Sequence, residues 1–208
     1  MRWFAVVPAV FAAAGCNLLT PVIFVGEPKR KVTAEFNKLA GARTAVLVWT
    51  EPATLFDYPH ARFELSTYIG DKLAQGLADR GMAIDVVDPR DVEDFIQKDI
   101  DAQSDPQRVG RRFRADYVVY LEMVRFQIRD PEQPQLLRGR LAASVAVYDM
   151  RSAPGSPTRY ALTPVEAIHP ETGPVLLTAT NSLLIREACY RKFAELVARK
   201  FYEYTVAM

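Results

Sequence analysis

The chain has 208 residues, half of them apolar, with 26 basic against 25 acidic side chains and two cysteines. That apolar content excludes disorder as the default state, and a chain of this size normally makes one domain with a real core. Near-cancellation of charge gives no global reason to expect nucleic acid or an anionic membrane face as a partner.

The first sixteen residues carry the strongest signal. Arg2, an apolar run from Trp3 to Ala14, and the small residues Ala13-Ala14-Gly15 before Cys16 have the layout of a secretory signal peptide. An apolar stretch of this kind runs to roughly 7–15 residues, well short of the ~20 that span a bilayer. The segment resembles the signal of bacterial lipoproteins, with Ala13 where that family usually has Leu. The resemblance implies cleavage of residues 1–15, acylation of Cys16, palmitate included, and a chain lipid-anchored in the cell envelope. Asn17 rather than Asp after the cysteine implies delivery to the outer membrane, with the domain facing the periplasm. Removing Arg2 leaves 25 basic against 25 acidic residues. With Cys16 acylated, Cys189 has no partner for a disulfide.

Residues 16–31 read as a tether, with Pro21, Gly26 and Pro28 leading to Lys29-Arg30-Lys31. Fully extended at ~3.3 Å per residue it reaches on the order of 50 Å, so the domain stays near its membrane. The basic triplet reads as a solvated linker end within reach of headgroups. A single domain is expected over residues 32–208.

Within it, Val32, Phe36 and Leu39 fall at helical spacing between Thr33 and Gly41, predicting a short helix. Thr44 to Trp49 is a dense apolar run, which predicts a central strand. A loop from Glu51 to His60 presents Phe56, Tyr58 and His60. Leu65, Ile69, Leu73 and Leu77 then recur at i+4 ahead of Gly81, predicting a long amphipathic helix. Ala83 to Val87 reads as a second strand. Asp88-Pro89 and Asp105-Pro106 each supply an N-cap and an N1 proline, starting two further helices with Val92, Phe95 and Ile96, and with Val109 and Phe113, on their apolar faces.

Tyr117 to Phe126 predicts a third strand that loses continuous apolarity towards its end. Arg138 to Asp149 alternates as a fourth, and Arg159 to Ile168 reads as a last strand that Pro164 restricts to an edge, a bulge or a break. Pro170 to Asn181 reads as a loop. Ile185, Cys189, Phe193, Val197 and Phe201 form an i+4 ladder within a closing helix, Ser182 to Tyr204, where Cys189 serves as a small buried hydrophobe. The order is a short helix, then β-α-β-α-α-β-β-β-α. A βαβ start wants parallel pairing and the short turns after Phe126 want antiparallel hairpins, so the fold class is α/β (α+β), one mixed sheet covered by helices.

Residues that carry chemistry are sparse. A serine or cysteine hydrolase needs a nucleophile, a base and an orienting group. The only histidines are His60 and His169, and no Gly-x-Ser-x-Gly accompanies them. Zinc needs clustered His, Cys or carboxylates, and phosphate-cradling glycine motifs are missing. Neither a cofactor nor a metal is expected. Asp91, Glu93, Asp94, Asp99 and Asp101 form the wet side of a helix. Arg108, Arg111, Arg112 and Arg114 crowd a helix end whose dipole favours cations, with an acidic partner as the alternative.

With tether, element order and the run Arg114-Ala115-Asp116-Tyr117-Val118-Val119 entering the third strand, residues 32–204 resemble an envelope-lipoprotein superfamily. It includes the LpoB-type activators of penicillin-binding proteins, the CsgG-type curli-secretion lipoprotein and the N-terminal domain of TolB. The tether is shorter than in the first type, and no spare hairpins of membrane-spanning length match the second. The expected function is a non-enzymatic, lipid-anchored protein that recruits or scaffolds a protein partner near the membrane. Candidate contacts are Phe56, Tyr58 and His60, together with the Pro170–Asn181 loop. The alternatives are an auxiliary lipoprotein of a lipid-trafficking ABC transporter and an apolar-ligand carrier with a pocket between sheet and helices.

Overall fold

The computed structural model describes residues 29–130, 132–152 and 157–207. The expected signal peptide, Cys16 and the expected tether up to residue 28 lie outside the described residues. Two compact units result. In the smaller, β1 (Lys29–Val32) pairs with β8 (Tyr204–Ala207) in a two-stranded sheet, so the basic triplet that ends the tether is a strand.

The larger unit, Val32–Tyr204, is built on a six-stranded sheet in the order β3-β2-β4-β5-β6, with β7 also on β5. β2 (Arg43–Trp49) runs parallel to both β3 (Asp85–Val86) and β4 (Tyr117–Arg129). β5 (Leu136–Asp149) and β6 (Thr158–His169) continue antiparallel. The mixed sheet is the one expected from a crossover followed by hairpins. Pro164 lies on edge strand β6 beside a register shift, so both of its allowed contexts coincide.

Two helical layers cover the sheet. α2 (Ala61–Ala78) and α5 (Ala179–Ala198) bury Leu65, Ile69, Leu73 and Leu77, and Ile185, Cys189, Phe193 and Val197, against one face. α3 (Pro89–Lys98), a 3₁₀ turn (Ile100–Ser104) and α4 (Pro106–Phe113) bury Val92, Ile96, Ala102 and Val109 against the other. Both Asp-Pro starts form as the sequence predicts. The Asp88 carboxylate accepts from the Arg90 N–H at 2.8 Å and that of Asp105 from Arg108 N–H at 3.0 Å, satisfying donors the helix cannot.

The short helix expected around Val32–Leu39 does not form. Residues 33–39 run as an irregular strap that still buries Phe36 and Leu39. Spacing that suits a helix here serves side chains reaching the core from an uncoiled backbone. The N–H groups of Glu35 and Phe36 donate to the Lys200 carbonyl at 2.8 and 3.0 Å, just past the end of α5. Phe36 stands edge-on to Tyr117 and Phe201, with ring centroids 5.3 and 6.3 Å apart. Tertiary partners thus take the backbone donors that a local helix would have used.

Other boundaries shift as well. The Glu51–His60 loop contains a short helix, α1 (Pro52–Asp57), and the second strand shrinks to Asp85–Val86. The Pro170–Asn181 loop holds β7 (Val175–Leu176) and the first turn of α5, which ends at Ala198 rather than Tyr204. Phe201 is buried beyond the helix end.

Glu35 ties the strap down. Its carboxylate accepts from Lys200 Nζ at 2.7 Å and from the Thr163 N–H at 2.8 Å. Burial alone would raise its pKa, but the bond and charge of Lys200 and the Thr163 N–H hold it below the ordinary 4.5. A carboxyl whose folded pKa is depressed contributes stability above its unfolded pKa and loses it as pH falls through the folded value. In urea unfolding across a pH series, the stability gap between the parent and Glu35→Gln is expected to be full at neutral pH and to shrink progressively below about pH 4.5. A gap independent of pH would contradict this.

Candidate functional site

β4 and β5 have 13 and 14 residues, whereas β2 has seven, so the hairpin extends past its parallel neighbour. On the extension Phe126 and Ile128 still face the large core, while Gln127 and Arg129 point to solvent. Tyr58, just past α1, packs on this overhang from one side, and the first turns of α5 approach from the other. Between them lies an open cleft of about 660 Å³, lined by Asp57, Tyr58, Phe126, Ile128, Arg129 and Ser182 among others.

Two of its lining residues, Tyr58 and Phe126, begin a row of rings that runs on into the core. Tyr58 and Phe126 have centroids 4.6 Å apart, Phe126 stacks on Tyr190 at 5.2 Å and 28°, and Tyr190 meets Tyr68 at 6.1 Å. Tyr190 is 1% exposed and its hydroxyl has no hydrogen-bond partner. Burial drives its pKa far up, the Glu64 charge adds to this, and Arg186 opposes it. Arg186 leaves a buried Nε unpartnered while its guanidinium stands 3.7 Å from the Glu64 carboxylate. Burial also raises the Tyr58 pKa, with Asp57 adding and Arg129 and Arg186 opposing.

Two chain neighbours of the cleft's lining residues are exposed and apolar: Phe56, next to Asp57, is 89% exposed, and Leu183, next to Ser182, is 48% exposed, with Leu184 beyond it at 56%. β7 and the start of α5 are held in place by Leu177 N–H donating to the Gln135 carbonyl at 2.8 Å and Asn181 Nδ2 to that of Leu176 at 3.0 Å.

The three residues expected to act together therefore part company. Phe56 is exposed, and Tyr58 is half-buried in the ring row rather than displayed. His60 lies at the start of α2 and opens onto a separate depression of about 520 Å³ with Phe63, Arg90, Glu93 and Asp94. Of the two expected contact segments, the first supplies Asp57 and Tyr58 to the cleft, whereas the second stops one residue short of Ser182. Phe126, Tyr190, Leu183, Leu184 and Arg186 were not singled out from the sequence. The Leu183-Leu184 pair, off the i+4 ladder that starts at Ile185, was the available sign.

The side chains offer little chemistry. His169 sits on β6 opposite Gly139. Burial pushes the Cys189 thiol up to about 12, against the pull of Lys192. Among the described residues no group of three His, Cys, Asp or Glu side chains is placed to hold a metal. None of the described helices is long and apolar enough to cross a membrane.

No protein-family model matches the chain, and no curated protein does. Solved structures similar to it include lipoprotein GNA1162 from Neisseria meningitidis, at 15% identity and a TM-score of 0.42 over 71% of this chain and 94% of that one. The PelC dodecamer from Paraburkholderia phytofirmans is similar at 10% identity and 0.43, over 84% and 98%. The hypothetical protein CT253 from Chlamydia trachomatis is similar at 12% and 0.36, over 75% and 95%.

An unpartnered buried hydroxyl should be dispensable, while the ring beside it should not. Tyr190→Phe is expected to leave stability unchanged or raise it by about 1 kcal/mol, and Phe126→Ala to lower it by roughly 3–5 kcal/mol, both by urea unfolding. Loss of more than about 1 kcal/mol in Tyr190→Phe would reveal a bonding partner for the hydroxyl.

Proposed function

We propose that this is a lipid-anchored, non-enzymatic envelope protein that recruits a protein partner through the cleft between the β4–β5 overhang and α5. The observation that carries the reading is a cleft lined by the Tyr58 and Phe126 rings, with exposed Phe56, Leu183 and Leu184 close in sequence to its lining residues. Such a surface buries well against a complementary protein, and aromatic anchors give the largest share of interface energy. The lipoprotein-type signal ending at Cys16 supports the anchor, and Asn17 supports the outer membrane as its site with the domain on the periplasmic side. The resemblance to the LpoB, CsgG and TolB N-terminal superfamily fits a role in recruiting or scaffolding.

Against an apolar-ligand carrier stands the packing between sheet and helices. A Cβ added at Gly139 would come within 3.0 Å of the Cys189 Cβ, and one at Gly110 within 2.7 Å of the Met150 side chain. At those two places the layers are close-packed. The cleft opens at the end of the sheet and suits a partner's protruding side chains.

Two experiments test this. Photo-crosslinking residues at positions 56 and 184, in intact envelopes, are expected to capture one and the same protein, and a probe at exposed Asp101 on the other layer is not. Equal capture from all three positions would sink the docking reading. Cys16→Ser is expected to move the protein out of the membrane fraction with no change in the thermal midpoint of the folded domain. Firm retention of that variant would count against the anchor.

A further inference from the structure

The guanidinium cluster at the end of α4 is left unabsorbed by the cleft. Pro106, Val109 and Gly110 are buried and Phe113 packs against the same core, so Arg111 and Arg112 point outward with Arg114 just beyond. Two neighbouring arginines hold carboxylates of their own. Arg43 bonds Asp85 through its side chain and the Asp116 carboxylate through its N–H, and Arg108 reaches Asp99 at 2.9 Å and Asp101 at 3.9 Å. No ion pair forms at Arg111, Arg112 or Arg114 among the described residues. The Arg112 guanidinium lies 5.9 and 5.6 Å from the ring centroids of Phe95 and Phe113. Arg114 has φ +51° at the C-cap, a left-handed conformation where glycine is usual and any Cβ is disfavoured.

We infer that this surface docks on the anionic phospholipid headgroups of the bilayer that tethers the chain, an inference that rests on the anchored reading above. About 13 residues separate Cys16 from Lys29, where the described chain begins, and at ~3.3–3.6 Å each they confine the domain to within roughly 45 Å of the lipid. Guanidinium groups bind phosphate oxygens in paired, planar fashion. The balanced net charge does not oppose this, because screening limits the interaction to charges near the surface. α4 and the α2–α5 layer cover opposite faces of the sheet. Headgroups at α4 therefore leave the cleft turned away from the membrane and open to a partner.

The test uses the full chain reconstituted in vesicles, with a fluorescent amino acid at Gln107, one turn before Arg111, and a headgroup-borne quencher. Quenching is expected to be several-fold stronger in phosphatidylglycerol-containing vesicles than in pure phosphatidylcholine, and to fall to the phosphatidylcholine level at high salt. At about fivefold per cation, Arg111→Gln, Arg112→Gln and Arg114→Gln together should weaken contact on the order of 100-fold, whereas the triple lysine variant keeps most of it and shows that the fold is intact. Equal quenching in the two vesicles, or quenching that survives the triple glutamine change, would overturn the proposal. So would displacement by inorganic phosphate at constant ionic strength, which would make this a free-phosphate site. Failure of the anchor itself reads out separately, as a Cys16 without acyl mass.

Discussion

The architecture depends on how apolarity is distributed along two strands. In β2, Thr44 to Val48 are all buried, and in β4 so are Tyr117, Val118 and Val119, so this end of the sheet is apolar on both faces. Such strands must be covered twice. From Glu122 onward β4 alternates on either side of a register shift at Val124-Arg125, with Met123, Phe126 and Ile128 inward and Glu122, Gln127 and Arg129 outward. One helical layer is then enough. α3 and α4 accordingly stop over the two-faced end, and only α2 and α5 continue along the other face. The cleft is the place where even that single cover runs short.

This constraint explains what could be read from the chain in advance. Parallel pairing, the two Asp-Pro helix starts and the i+4 faces of α2 and α5 are local patterns, and each is written within a dozen or so residues. The weakening apolarity at Phe126 was visible too, but its meaning was not. Tyr58 looks like an exposed loop residue because its neighbours in sequence are polar, while the ring that covers it is Phe126, far along the chain. The strap misled for a related reason. Phe36 and Leu39 have helical spacing, yet what decides their backbone is the Lys200 carbonyl, supplied from the far end of the domain. Periodicity reports which side chains are buried and does not by itself fix the backbone that carries them.

The strap also accounts for how the sheet's open flank is closed. β6 is an edge strand, and an edge exposes unpaired backbone groups that invite association. Pro164 and the register shift beside it interrupt that edge, and the Glu35 carboxylate takes the Thr163 N–H. The same carboxylate holds Lys200, whose carbonyl receives the strap's own N–H groups. A single acidic side chain thus links the strap, the end of α5 and the sheet edge, which is more than a helix over the same residues would have achieved.

The cleft holds surface and little reactivity. Its rings are apolar and its titratable groups are Asp57, Arg129, Asp130 and Tyr58, whose pKa is raised by burial, with neither histidine among its lining residues. Two buried polar atoms, the Tyr190 hydroxyl and Arg186 Nε, stand unpartnered behind it. Each such atom costs about 1–3 kcal/mol, and a phenylalanine at 190 would stack on Phe126 equally well. Both atoms are sealed from solvent, so the surface the cleft offers is that of the Tyr58 and Phe126 rings with Asp57 and Arg129 beside them.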